Sequence, residues 1–269
     1  MSGLLLDQPD SGTATLEQVL QYQAPAPERS NRYQAVQNGE LIDMVEKASG
    51  QMGLHIHDPQ FGLSRKGMRM FGVFEVSGLD MFDESAKLML GIRNSFDGSL
   101  RAAICFGSKV FVCSNLIFSG YVGDEGIVGG ARHRHTVNVS ETLFDRILES
   151  LQQVNEYRDS QSLFYNKLQN TPLTRAEGCE IIVNAGFAGV IGKTDVLPYA
   201  DEWLFQETGP RNKAEENREW HEDFKYRNAW SLMNAFTQMQ KQRFQRNPFT
   251  SNQESAKLSR FLQQTFPMN

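Results

Sequence analysis

Residues 129–140 read GGARHRHTVNVS and place Arg132, His133, Arg134 and His135 side by side, in a chain whose formal net charge is −5. Extended, this stretch puts Arg132, Arg134, Thr136 and Asn138 on one face and His133, His135, Val137 and Val139 on the other. The valines predict that the second face turns inward. The two arginines then stand together on the outer face, about 7 Å apart. A planar guanidinium grips phosphate oxygens in pairs, so two arginines at this spacing suit a phosphate backbone. The competing reading is two surface arginines balanced by Asp124 and Glu125. Because the whole chain is acidic, any polyanion site must be a local patch.

Other groupings offer different chemistry. His55/His57 and His133/His135 are two H-x-H pairs, and on strands each pair would project from one face in the manner of metal ligands. Arg132 and Arg134 work against a divalent cation there unless a carboxylate such as Asp58 intervenes. In KYRNAW and KQRFQR, aromatics interleave with cations, so Tyr226, Arg227, Lys241, Arg243 and Arg246 form a possible secondary nucleic-acid patch. Trp230 has the spacing of a buried helix residue instead. The stretch GFAGVIGKT resembles a phosphate loop, but the glycine needed five positions before Gly192 is replaced by Phe187, and Gly186 comes one residue too early. It reads as a glycine-rich helix exit. Cys113 or Ser95 with His135 would make a nucleophile and base, yet no local signature supports either, and no catalytic residue is assigned. Cys105, Cys113 and Cys179 are irregularly spaced and odd in number, a pattern of reduced thiols.

The elements that must position these residues follow from patterning. Residues 1–35, with DQPDSGTAT and QAPAPERSNR, read as an extended arm that needs something to hold it down, such as a neighbouring subunit. The remainder, 36–269, reads as a single α+β domain. Leu41, Ile42, Val45 and Ala48 predict a short amphipathic helix. Strand-like patterns follow in GMRMFGVFEVSG, with both faces partly apolar, and in KLMLGIRNSF and SLRAAICF, joined by Asp97-Gly98, the dipeptide of a tight type I′ turn. A further hairpin is expected with Gly107 and Ser108 at its turn. At Ser140 the period changes to 3.6, predicting a long helix to about Gln169, a second opening at the capping box TRAE (174–177), and a third over about 213–246. Strands preceding helices argue for a central antiparallel sheet, about 54–139, packed against long C-terminal helices. No stretch approaches the ~20 apolar residues of a membrane span, which predicts a soluble cytoplasmic protein.

At GIRNSFDGSLRAAICFGSKVFVCSN, RHRHT and RNAWSLMNAFTQ the chain resembles a phage- and plasmid-borne family catalogued as domain of unknown function 932. The likeness spans roughly Gly39 to Phe266. The family pattern falls on Arg93, Asn94, Ser95, Asp97, Gly98, Ser99, Val112, Cys113, Asn115, Arg134, His135, Thr136, Trp230, Asn234 and Ala235. Many relatives carry His where this chain has Phe96, so any role of that imidazole is missing here. The resemblance implies a mobile-element protein acting in the host cytoplasm and brings no activity or cofactor with it. Two function classes remain. One is a non-enzymatic protein binding single-stranded nucleic acid or nucleotides in replication, recombination or annealing, through Arg93, Asn94, Arg132, Arg134 and His135. The other is an inhibitor of a host defence factor by protein contact or nucleic-acid mimicry, for which an acidic surface is apt. A metal-dependent nuclease using the histidines stands behind both. The polar arm and apolar helical stripes also predict a homo-oligomer.

Overall fold

The computed structural model describes residues 11–24, 33–78, 86–110, 116–117, 122–123, 126–127, 130–136, 139–210, 212–213, 215, 227–246 and 248–268. Four long strands form the centre of one antiparallel sheet: β2 (His55–Ser64), β3 (Arg69–Ser77), β4 (Ala86–Ser95) and β5 (Ala102–Val110). Ahead of them, β1 (Ser11–Ala14) pairs with β2. Beyond them, β6 (Leu116–Ile117) and β9 (Gly130–His133) share the far side of β5, β6 along its C-terminal end and β9 along its N-terminal half. The short β7 (Val122–Gly123) and β8 (Gly126–Ile127) pair only with each other.

Alternation along the central strands separates two faces. Met70, Phe74, Leu88, Leu90, Ile92, Ile104 and Phe106 join one continuous core with the helices. The opposite face carries a small buried cluster of Phe71, Val73 and Met89, backed by Leu100 and Cys105. This accounts for the apolar residues on both faces of β3.

The helices cover the first face. α2 (Asn38–Gln51) lies against β2 and against α3 (Val139–Gln152), which in turn packs on β9. α4 (Val154–Gln169), α5 (Arg175–Phe187), α6 (Val196–Thr208), α7 (Ala229–Arg246) and α8 (Pro248–Thr265) complete the α+β fold. Aromatic contacts join the layers: Phe106 stacks on Tyr157 at 5.5 Å and Tyr165 meets Trp230 edge-on at 5.1 Å. No helix among the described residues is long and apolar enough to cross a membrane.

Several expectations are corrected. The helix from Ser140 breaks at Gln153, whose N–H donates to Ser150 O at 3.1 Å in a tightened turn, while Ile147, Leu151, Val154 and Tyr157 stay buried across the break. The third long helix does not run from 213. It starts at Ala229, where Asn228 caps it by accepting from Ser231 N at 2.8 Å. Residues 216–226, with Trp220 and Phe224, lie outside the described residues. Gly107 and Ser108 are not a turn; they sit inside β5 opposite Met89 and Leu88. The link between β4 and β5 holds residues 96–101, and of Asp97 and Gly98 only Gly98 is left-handed (φ 67°), so the turn is not type I′. Thr174 and Glu177 do form the reciprocal capping box opening α5.

The arm is also held differently than expected. Its described residues 11–24 dock on the chain itself: β1 is an edge strand of the same sheet, and α1 (Leu16–Gln21) inserts a fully buried Val19 into the core.

Candidate nucleic-acid interface

Because the sheet is antiparallel, the β2–β3 turn, the β4–β5 turn and the end of β9 meet at one end. Three separate segments thereby bring together Arg65, Lys66, Arg69, Arg93, Arg101, Arg132 and Arg134. Over the same segments, 64–69, 93–101 and 130–136, the one carboxylate is Asp97. In an acidic chain this is a strongly cationic end. Arg65, Lys66 and Arg134 are exposed, and Arg69, Arg93 and Arg101 are half-buried.

Hydrogen bonds fix the two turns to each other. Phe96 N donates to Met68 O at 2.8 Å, Arg69 Nε donates to Ser99 Oγ at 2.8 Å, and Arg65 approaches Asp97 at 3.4 Å. Burial pulls Arg69 below the usual guanidinium range, and the like charge of Arg65 adds to the effect against the pull of Asp97. Burial alone would raise the Asp97 carboxyl, but hydrogen bonds from the Ser99 hydroxyl and N–H outweigh it and hold the group below its usual range. The turn keeps two cations in costly geometry: Arg65 and Lys66 are left-handed, at φ 50° and 55°.

The arm supplies aromatics. The Tyr22 ring lies over Gly67, where an added Cβ would sit 2.0 Å from Cδ1 and Cε1. The Tyr33 ring lies beside Gly98, and its hydroxyl donates to Phe96 O at 2.7 Å. Burial, then Asp97, raises the Tyr33 phenol above its ordinary value.

The predicted site residues fare unequally. Arg93 and Arg132 are brought together, since their backbones flank Ala103 at one register position of β4, β5 and β9. The strand ends at His133, so Arg132 and Arg134 do not share the extended alternation expected of them. Thr136 N donates to Arg134 O at 2.9 Å, and this tight turn drives His135 inward. His135 is buried as the alternation predicted. It hydrogen-bonds through Nε2 to Leu100 O at 3.2 Å, lies tilted against the Tyr33 ring with centroids 5.5 Å apart, and takes Gln34 N on its carbonyl. Burial lowers its pKa, which favours the neutral ring. Asn94 is fully buried on the helix-covered face, where its Nδ2 donates to Val36 O at 2.7 Å and to Asn38 Oδ1 at 3.0 Å. It tethers the chain ahead of α2 and is not available to a ligand.

Of the secondary patch, only the Arg227 side chain lies among the described ones. Arg227 is engaged with Glu207 at 3.1 Å. Tyr226 lies outside the described residues, and Lys241, Arg243 and Arg246 fall in the last two turns of α7. Trp230 is buried, as its spacing indicated.

The other chemistries lose their geometry. β3, β4 and β5 separate the two H-x-H pairs, so four histidines cannot hold one ion. His57, Asp58 and Glu75 do cluster, with ligand atoms within 4.8 Å of one another. Glu75 is already engaged by Lys87 at 2.7 Å and Lys109 at 3.2 Å, and two ammoniums beside it oppose a metal. Burial alone would raise its carboxyl, but these two lysines outweigh that and hold it below the usual range. His133 Nε2 is 2.9 Å from Thr142 Oγ1. Ser95 does not meet His135 as a nucleophile; its hydroxyl closes the β4–β5 turn, accepting from Leu100 N at 2.9 Å and donating to Leu100 O at 3.0 Å. Burial pushes the Cys105 thiol up to about 12, and Cys113 lies outside the described residues.

Arg65, Lys66, Arg69, Arg101, Tyr22 and Tyr33 escaped sequence reasoning. The available signal was cationic clustering in SRKGMR, next to a glycine-bearing turn. No curated protein and no solved structure matches this chain. The family model described as Domain of unknown function (DUF932) matches residues 27–262, and the chain therefore belongs to that family.

Proposed function

We propose that the cationic sheet end binds single-stranded nucleic acid, as a non-catalytic component of DNA replication, recombination or annealing in a phage-infected or plasmid-bearing host cytoplasm. The observation that carries this reading is the convergence of seven Lys and Arg residues against one carboxylate, in a chain of net charge −5. Basic grooves flanked by aromatic side chains bind single strands with little sequence preference, through phosphate contacts and base stacking. Arg93 and Arg132 lie at one register position and Arg134 follows two residues on. His135 and Asn94 support that arrangement from below.

The test is the salt dependence of binding. If all seven cations met phosphates, the slope of log K against log salt would approach about −5, at about 0.7 per contact on single strands. Replacing Arg132 and Arg134 by glutamate should weaken binding of a fluorescent oligo-dT and flatten the slope by about 1.4. An unchanged affinity and slope in a variant with wild-type circular dichroism would reject this site. The reading would then pass to inhibition of a host factor by protein contact.

A further inference from the structure

Of the two arm tyrosines, only one is accounted for by the fold. Tyr33 spends its hydroxyl on Phe96 O and its ring on His135. Tyr22 remains 44 % exposed, and its hydroxyl has no hydrogen-bond partner among the described residues. Yet it is held in place. It ends α1, which Val19 anchors in the core and Leu20 presses against Gly39, and its ring is seated directly on the Gly67 backbone. Any side chain at position 67 would collide with it, and φ 82° there already favours glycine.

The two residues ahead of Gly67 are exposed cations, Arg65 and Lys66, both in the left-handed region where asparagine or glycine would be less strained. Strain retained at charged residues marks a place where the side chains matter more than the local backbone cost. An aromatic ring seated on the backbone of a turn that carries two exposed cations, and itself 44 % exposed, has the parts of a base-stacking site.

We propose that Tyr22 is a stacking platform for a nucleobase, so that the site recognises single strands by base as well as by phosphate. This rests on the binding reading above and specifies its ligand. A phosphate-only site would need the cations and would not need the ring.

The experiment compares two probes on the full chain: fluorescein-labelled oligo-dT, and inorganic polyphosphate of similar charge used as competitor. Tyr22→Ala should lower oligo-dT affinity by about 5- to 150-fold, the value of one base–aromatic stack. It should leave polyphosphate competition unchanged. Tyr22→Phe should bind as the wild type, since the hydroxyl is unused, and it controls for arm folding. Arg65→Asn with Lys66→Asn should weaken both probes. Equal loss of both probes in Tyr22→Ala, or no loss of oligo-dT, overturns the stacking role while leaving the phosphate site standing. Wild-type protein that binds neither probe overturns both readings.

Discussion

Asn94 sits beside Arg93 near the cationic end of the sheet, and its type suits hydrogen bonding to bases or phosphates, but the fold gives it another task. Its Nδ2 donates to both Val36 O and Asn38 Oδ1 in a fully buried setting, while its own Oδ1 has no partner. Asn94→Ala deletes the donor and leaves two buried acceptors unsatisfied. Each such loss costs about 1–3 kcal/mol, reduced by removal of the orphaned Oδ1, so the net destabilisation should be about 2–4 kcal/mol. For a chain of this length that corresponds to a fall in Tm of roughly 5–10 °C. Asn94→Asp should be worse, because it points a carboxylate at two oxygens without a compensating donor. Urea unfolding followed by circular dichroism gives the magnitude. Limited proteolysis between Ala24 and Val36 reports on the tether, which should become more susceptible. Below its melting temperature, Asn94→Ala should keep the wild-type salt slope for oligo-dT. A variant of unchanged stability with lost binding would refute the tether and restore Asn94 to the ligand.

Glu75→Gln removes a carboxylate held by Lys87 and Lys109, and should cost about 1–2 kcal/mol at pH 7. Because the folded pKa of Glu75 lies below its ordinary 4.5, its contribution is present above pH 4.5 and is lost as pH falls below it. Urea midpoints of wild type and variant should therefore converge on acidification through that window, and a constant gap would count against the clamp. His135 has a folded pKa below 6.5, so acidification from pH 6.5 downward should weaken the seat of Tyr33, and in His135→Gln that part of the pH dependence should vanish when melts are compared. Self-association is expected to run through the α5–α6 junction, where Phe187 is 77 % and Leu197 79 % exposed. Replacing both by serine should lower the mass seen by light scattering, and a monomeric wild type at micromolar concentration would end the idea.

The sheet was legible because alternation and turn residues are local signals, and the 3.6-residue period marked α3 with its first buried residues. The break at Gln153 was not, because Ile147, Leu151, Val154 and Tyr157 keep a helical stripe straight across it. Arg93 and Arg132 could be suspected singly, but their common register depends on β9 crossing to pair with β5, a contact between residues nearly thirty apart in sequence. His135 was correctly turned inward although the strand ended before it, since a tight turn did what alternation would have done. The arm was misjudged for a related reason. A strand of four residues and a helix of six carry too little periodicity to stand out, and they are stable only against β2 and α2.

That docking has a consequence for where the chain can be cut. The family match begins at residue 27, downstream of both β1 and α1. A fragment starting there would leave Phe61–Ser64 of β2 without the strand that covers its outer hydrogen-bonding groups, and would empty the seat of Val19. Open strand edges beside apolar surface recruit other chains, so the trimmed fragment should aggregate where the full chain does not. Residues 11–21 thus act as an edge guard for the sheet, a role set by backbone pairing that the composition of the arm does not announce.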